Sequence, residues 1–167
     1  KEKSNIEGFV SLLDYNFDTL FTKFFTVDTF QTILRSIDIL PNGEYIMSGE
    51  IFHFINPWQG MSDGIFLYKT DSLFNLLWVQ TYKYDVNNLC FTVNQTSDNG
   101  FVIGGYTNAK TDYSGQPLVI KTDSLGNQEW IWQNGSVYDD LQSITSISND
   151  GNILVAYGHA TYQAPPY

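Results

Sequence analysis

Cysteine occurs once, at Cys90, so no intrachain disulfide can form and the fold must rest on its core. The residue lies in the apolar run Leu89-Cys90-Phe91, with no His or Asp fixed beside it by a motif, and reads as a buried thiol rather than a nucleophile. Arginine also occurs once, at Arg35; eight basic residues face eighteen acidic ones, a net charge of −10. A field of that sign repels phosphate backbones, which argues against nucleic acid as a partner. No run of about 18 apolar residues is present, so no membrane-spanning helix is expected. The G-x-S-x-G, P-loop, dinucleotide-fingerprint and zinc spacings are missing too, leaving an enzyme reading without residue-level support. Helical periodicity is equally scarce: its best candidate, residues 29–37, is weakened by β-branched side chains.

What the chain has instead is aromatic and aliphatic bulk, 16% aromatic and 43% hydrophobic overall, enough for a folded domain built from strands. It also has a repeat. Lys69-Thr70-Asp71-Ser72-Leu73-Phe74-Asn75-Leu76-Leu77-Trp78 returns 52 positions later as Lys121-Thr122-Asp123-Ser124-Leu125-Gly126-Asn127-Gln128-Glu129-Trp130. A fainter copy places Asp14, Phe17, Asp18 and Phe21 at the offsets of Asp71, Phe74, Asn75 and Trp78. A second phrase recurs around Pro41-Asn42-Gly43, Ser97-Asp98-Asn99-Gly100 and Asn149-Asp150-Gly151, each a turn signal between apolar runs. Gly43, Gly100 and Gly151 read as the turn glycines. Gly126 suits a left-handed backbone, which the Phe74 and Phe17 copies do not require.

Four short strands per repeat, on a period of about 50 residues, are the signature of a β-propeller blade. The expectation is an all-β, propeller-type array of four-stranded antiparallel blades at residues 8–62, 63–116 and 117–158, with a tail at 159–167. Trp78 and Trp130 should then occupy equivalent, largely buried positions on the second strand of their blades. Three blades are too few to close a ring, since propellers use about four to eight. The open blade faces therefore call for further blades of the same polypeptide or for another chain, a self-assembled six-blade pair included.

The phrases D-G-I-F-L-Y-K-T-D-S-L-F-N-L-L-W and S-D-N-G-F-V-I-G-G-Y-T, at residues 63–78 and 97–107, resemble the propeller repeats of proteins exported by type IX secretion in Gram-negative bacteria. The resemblance covers residues 63–158 well and 8–62 weakly. It implies a propeller fold and an extracellular or outer-cell-surface setting, and it implies no particular activity. The C-terminal sorting domain usual in that family is not among these residues.

Candidate site residues are few. His53 and His159 each follow a fourth strand, at a place that falls near Tyr106 in the middle unit; the two histidines can line one rim, but exposed loop histidines are the plainer reading. No H-x-H or H-E-x-x-H spacing accompanies them. Trp58, in a loop with Pro57 and Gly60, suits stacking on a sugar ring or anchoring a protein partner, although packing within its own loop is the plainer reading. Asp71 with Asn75, and Asp123 with Asn127, offer oxygens to calcium, but Asp in this setting more commonly accepts backbone N–H bonds and starts the turn. Asp139-Asp140 lies where the preceding repeat has Asn87-Asn88, which favours loop capping over acid–base catalysis. No cofactor is expected, calcium being the sole candidate. The functional expectation is a non-catalytic extracellular binding or scaffold module with a protein or glycan partner. The alternative is the propeller portion of a secreted glycan-active or proteolytic enzyme.

Overall fold

One turn geometry is used six times. In the loops Asp14–Asp18, Leu40–Glu44, Asp71–Asn75, Thr96–Gly100, Asp123–Asn127 and Ser148–Asn152, the first residue donates its N–H to the carbonyl of the fifth, and the fourth donates to the carbonyl of the first. The fourth residue is left-handed in every copy: Phe17, Gly43, Phe74, Asn99, Gly126 and Gly151 have φ between 59° and 83°. This is the three-residue hairpin loop whose last member sits in the αL region. Two expectations are corrected by it. Phe17 and Phe74 adopt the same positive φ as Gly126, despite the cost to a side-chain-bearing residue. And in the middle copy the left-handed position belongs to Asn99, not Gly100. Gly100 is needed for close approach instead, since a Cβ there would lie 2.1 Å from the Thr122 carbonyl oxygen.

The computed structural model describes residues 7–28, 30–56, 59–108, 115–134 and 140–159. Its regular elements are all strands: β1 (Gly8–Leu13), β2 (Thr19–Phe25), β3 (Gln31–Ile39), β4 (Tyr45–Asn56), β5 (Gln59–Thr70), β6 (Leu76–Tyr82), β7 (Val86–Gln95), β8 (Phe101–Asn108), β9 (Gly115–Thr122), β10 (Gln128–Gln133), β11 (Asp140–Ile147) and β12 (Ile153–His159). The protein is all-β, as its aromatic and β-branched composition implies.

Two four-stranded antiparallel sheets, β3-β4-β5-β6 and β7-β8-β9-β10, form the centre, flanked by the two-stranded pairs β1-β2 and β11-β12. The units 8–62, 63–116 and 117–158 expected from the repeat therefore cut through both central sheets. β4 pairs with β5 from Tyr45↔Thr70 to Asn56↔Gln59, and β8 pairs with β9 from Phe101↔Thr122 to Asn108↔Gly115. A repeat fixes a period but not a phase. The stretches around 52–62 and 107–116 look like loops in sequence, yet residues 52–56, 59–62, 107–108 and 115–116 belong to the strands of long hairpins.

Matching registers place β1 at the position of β5 and β9, and β12 at that of β4 and β8. Leu13 precedes the Asp14 turn as Thr70 and Thr122 precede theirs, and Ile153 follows its turn as Tyr45 and Phe101 do. Among the described residues, β1-β2 thus correspond to the last two strands of a central sheet and β11-β12 to the first two.

Apolar faces join these layers. Ile46, Ile65, Leu67 and Tyr82 from one central sheet meet Cys90, Val93, Phe101, Ile103, Leu118 and Ile120 from the other, with Leu40, Trp78 and Tyr84 completing the cluster. A second cluster packs Val10, Phe25 and Val27 against Met47, Ile51, Phe66, Tyr68 and Phe74. The first strands of successive sheets are stitched by hydroxyls and carboxylates. Ser36 Oγ accepts from Val93 N at 3.1 Å, Asp38 Oδ2 from Gln95 N at 3.3 Å, and Thr92 Oγ1 from Thr145 N at 2.9 Å.

Candidate functional site

The most conspicuous buried polar group is Glu50, in the middle of β4 and without solvent exposure. Arg35 occupies the register shift between Leu34 and Ser36 in β3, and a bulge of this kind re-aims a side chain. Its guanidinium meets the carboxylate from Nε at 3.0 and 3.1 Å and from Nη2 at 3.0 Å. Glu50 Oε1 also accepts the Cys90 N–H of the neighbouring sheet at 3.0 Å. Burial raises the Glu50 carboxyl above its usual range, while Arg35 and the Cys90 amide pull it back. The Cys90 thiol donates to Ser48 Oγ at 2.9 Å and is fully buried. Burial pushes its pKa up to about 12. A thiol so placed does not ionise near neutrality, so the cluster joins two sheets and supplies no nucleophile.

At the turn end of the sheets, Asp71 and Asp123 spend their oxygens on their own loops. Asp71 Oδ1 accepts from Leu73 N and Asn75 N, both at 2.8 Å, and Oδ2 from Asn75 Nδ2 at 2.9 Å. Asp123 repeats the pattern with Leu125 N, Asn127 N and Asn127 Nδ2. These bonds hold both carboxyls below the ordinary carboxylate range. The proposed calcium ligands Asp71, Asn75, Asp123 and Asn127 thus act as turn-formers in this structure. Among the described residues no group of three or more His, Cys, Asp or Glu is placed to hold a metal ion.

At this end lies a groove of 270 Å³ of mixed polarity, lined by Leu40, Pro41, Asn42, Glu44, Lys69, Gln95, Asn99 and Ser124. Lys69 Nζ pairs with Glu44 at 2.8 Å. Its counterpart Lys121 is nearly buried and reaches Asp98 at 2.8 Å and Glu129 at 2.9 Å. Burial works against the Lys121 charge, but the two carboxylates outweigh it and raise the ammonium pKa. Asn42 and Asn99 read from sequence as turn residues alone; the repeat of Lys-Thr-Asp at the end of the third strand of each central sheet is the signal that two such turns border one surface.

The other end carries Tyr106, His53 and His159. Tyr106 is half-buried, and its hydroxyl accepts from Asn108 Nδ2 at 3.0 Å. His53 pairs in register with Met61, and His159 with Asp140. They stand eight, five and six residues beyond the starts of β4, β8 and β12 for His53, Tyr106 and His159 respectively, so they share an end of the sheets but not an equivalent position. Trp58 and Asp139 lie outside the described residues. Asn88 caps a loop, as expected: Oδ1 accepts from Tyr84 N at 3.1 Å and Nδ2 donates to Tyr84 O at 3.2 Å.

Two further grooves are apolar. One of 210 Å³ is lined by Val119, Trp130, Trp132, Ile153 and Val155; the other, of 240 Å³, is lined chiefly by Phe9, Val10, Leu34, Ile37 and Met47. All three fall below the roughly 300 Å³ at which small-molecule sites begin. The expectation for the indoles is only half met. Trp78 and Trp130 hold the same register, opposite Lys69 and Lys121, but Trp130 is 42% exposed. Trp78 is covered by the Gly126 turn of the next sheet, where a Cβ would lie 2.9 Å from its ring; no described turn covers Trp130 in that way. A comparison with protein-family models and with curated proteins returned no match.

Proposed function

We propose that this chain is a non-catalytic binding and scaffold module of β-propeller type, its four-stranded sheets acting as blades and its turn rim presenting the ligand surface. The observation that carries this reading is the open groove in which Asn42, Glu44, Lys69, Gln95, Asn99 and Ser124 stand beside Leu40 and Pro41. It mixes amide donors and acceptors with a hydroxyl and a paired lysine, a lining suited to the polar backbone of an extended peptide or to a sugar's hydroxyls. Its shallow volume favours part of a larger partner over an enclosed substrate. The buried ionisable cluster Arg35, Glu50 and Cys90 is engaged in joining sheets. An extracellular or cell-surface setting follows only from the likeness of residues 63–107 to type IX secretion repeats.

Screening the protein against peptide and glycan arrays tests the reading, with Asn42→Ala and Asn99→Gly as groove variants. Asn99→Gly suits the left-handed φ of 64° at that position and so leaves the turn intact. Binding that both variants weaken supports the rim site. Turnover in a hydrolase screen, abolished by replacing rim carboxylates, would favour the secreted-enzyme alternative.

A further inference from the structure

The turns that start at Leu40, Thr96 and Ser148 are copies of one loop, so side chains in the groove can be set against their counterparts in the other copies. Gln95, just before its turn, stands where the other copies carry Ile39 and Ile147. Asn99 fills the left-handed position that Gly43 and Gly151 fill elsewhere. Asn42 takes the place of the carboxylates Asp98 and Asp150, and Glu44 that of Gly100 and Asn152. Four departures from the repeat thus line one groove. Three of them put an uncharged amide where the other copies have an apolar, glycine or acidic residue. The loop closes with the other residues in the other copies, so turn formation does not account for these four.

Polar capacity is left over here. Among the described residues, the side chains of Gln95, Asn99 and Ser124 make no hydrogen bond. Asn99 and Ser124 are exposed and Gln95 is half-buried. Lys69 spends itself on the single carboxylate of Glu44, where its counterpart Lys121 is held by both Asp98 and Glu129. An ammonium carries three donors. The Glu44 carboxyl is held below its usual range, first by Lys69 and then by Asn42, so it remains an acceptor near neutrality.

We propose, resting on the reading of this rim as a binding surface, that the groove seats one uncharged sugar ring of a glycan. A pyranose offers hydroxyls that each donate and accept, together with apolar C–H faces. The amides of Gln95 and Asn99 and the Ser124 hydroxyl also donate and accept, and Pro41 supplies apolar surface beside them. The charges of the lining, Lys69 and Glu44, cancel against each other, so neither an anionic nor a cationic ligand group finds an unpaired partner. A peptide fits less well. Extended peptides commonly bind by adding a strand to a row of free backbone groups. Here the amides of Leu40, Gly43, Glu44, Gln95 and Asn99 are already donated within the protein.

Calorimetric titration tests the assignment, with neutral oligosaccharides of glucose, galactose, mannose and N-acetylglucosamine as probes. Their uronic-acid and sulfated counterparts and a library of uncharged peptides serve as competitors. Gln95→Ile and Asn99→Gly each restore what the other copies carry, and both suit the local backbone. Each should weaken binding of a neutral sugar about fivefold, as should Ser124→Ala, the loss of one hydrogen bond apiece. Asn149→Ala, in the third turn and outside the groove, should leave it unchanged. Affinity should hold when salt is raised, since the contact carries no net charge. Preference for the charged sugars overturns the proposal. Peptide binding weakened by the groove variants overturns it too, while leaving the rim reading intact. Sugar binding that the groove variants do not alter, or binding to none of the probes, overturns both.

Discussion

At the scale of single residues, Phe17 and Phe74 occupy the same turn position with opposite consequences. Both hold a left-handed backbone, at φ 67° and 59°, which costs a residue with a Cβ about 1–2 kcal/mol. Phe74 is 4% exposed, stacks on Tyr45 at 4.3 Å and meets Phe21 and Phe25 edge-on; its burial outweighs the strain. Phe17 is 82% exposed and receives no such return within one chain. In dilute protein, Phe17→Gly should therefore stabilise by about 0.5–1 kcal/mol, the relieved strain less the added freedom of the unfolded chain. Phe74→Gly should destabilise by about 3 kcal/mol, the low end of the range for losing a buried phenyl. Urea denaturation measures both, and a loss of stability in Phe17→Gly would show that its ring is already packed. Arg35 supplies the second residue-scale case. Arg35→Ala leaves the buried Glu50 carboxylate without its cation, at a cost of about 3 kcal/mol near pH 7, the lower bound for breaking a buried pair because Arg35 is itself 41% exposed. Glu50 already titrates above its usual 4.5, and losing Arg35 raises it further. A group raised in the folded state adds stability below its unfolded pKa and loses that contribution as pH rises through the folded one. The deficit of Arg35→Ala relative to wild type should thus shrink as pH falls from 7 toward 4.5. Denaturation at matched pH values checks this, and a pH-independent deficit would mean that lost packing, not charge, is the cause.

At the scale of elements, the hairpins explain what the sequence makes visible and what it hides. Lys-Thr-Asp-Ser with an aromatic at a fixed offset is legible because Asp71 and Asp123 must bond the same two amides to close the same loop. The strand grouping was not legible, because period-2 patterns show where strands run but not which neighbours share a ladder. Arg35 was equally hidden. Its role depends on a bulge that aims it at a glutamate 15 positions away, and a bulge leaves no mark in periodicity. Gly100 shows the same limit at a turn: it looks like the left-handed residue, yet Asn99 is. That distinction yields a contrast within one loop. Gly100→Ala should cost about 2–3 kcal/mol, because the new methyl meets the Thr122 carbonyl at 2.1 Å and the backbone must move. Asn99→Gly should stay within about 1 kcal/mol of wild type, since its φ favours glycine. Thermal melts of the two variants compare them directly, and equal losses would place the steric demand elsewhere.

At the scale of the whole molecule, stability should grade from the centre outward. Each layer in a repeat array gains from its neighbours, and a two-stranded pair alone is marginal. The central strands β8 and β9 are flanked by ladders on both sides, and most of their side chains are buried. By contrast, among the described residues β1 and β12 have one ladder neighbour each and carry exposed Phe9, Leu12, Leu154 and Tyr157. Native-state hydrogen exchange should accordingly find the slowest amides in β8 and β9, opening only with global unfolding, and much faster ones in β1 and β12 at low protein concentration. Raising the concentration separates local fraying from completion of a ladder. If a second copy supplies the missing strand, protection of β1 and β12 rises with concentration by mass action, while β8 and β9 stay unchanged until the global limit itself moves. If β1 were as protected as β9 in dilute protein, its edge would already be paired within one chain, and the half-sheet organisation of the two ends would be incorrect.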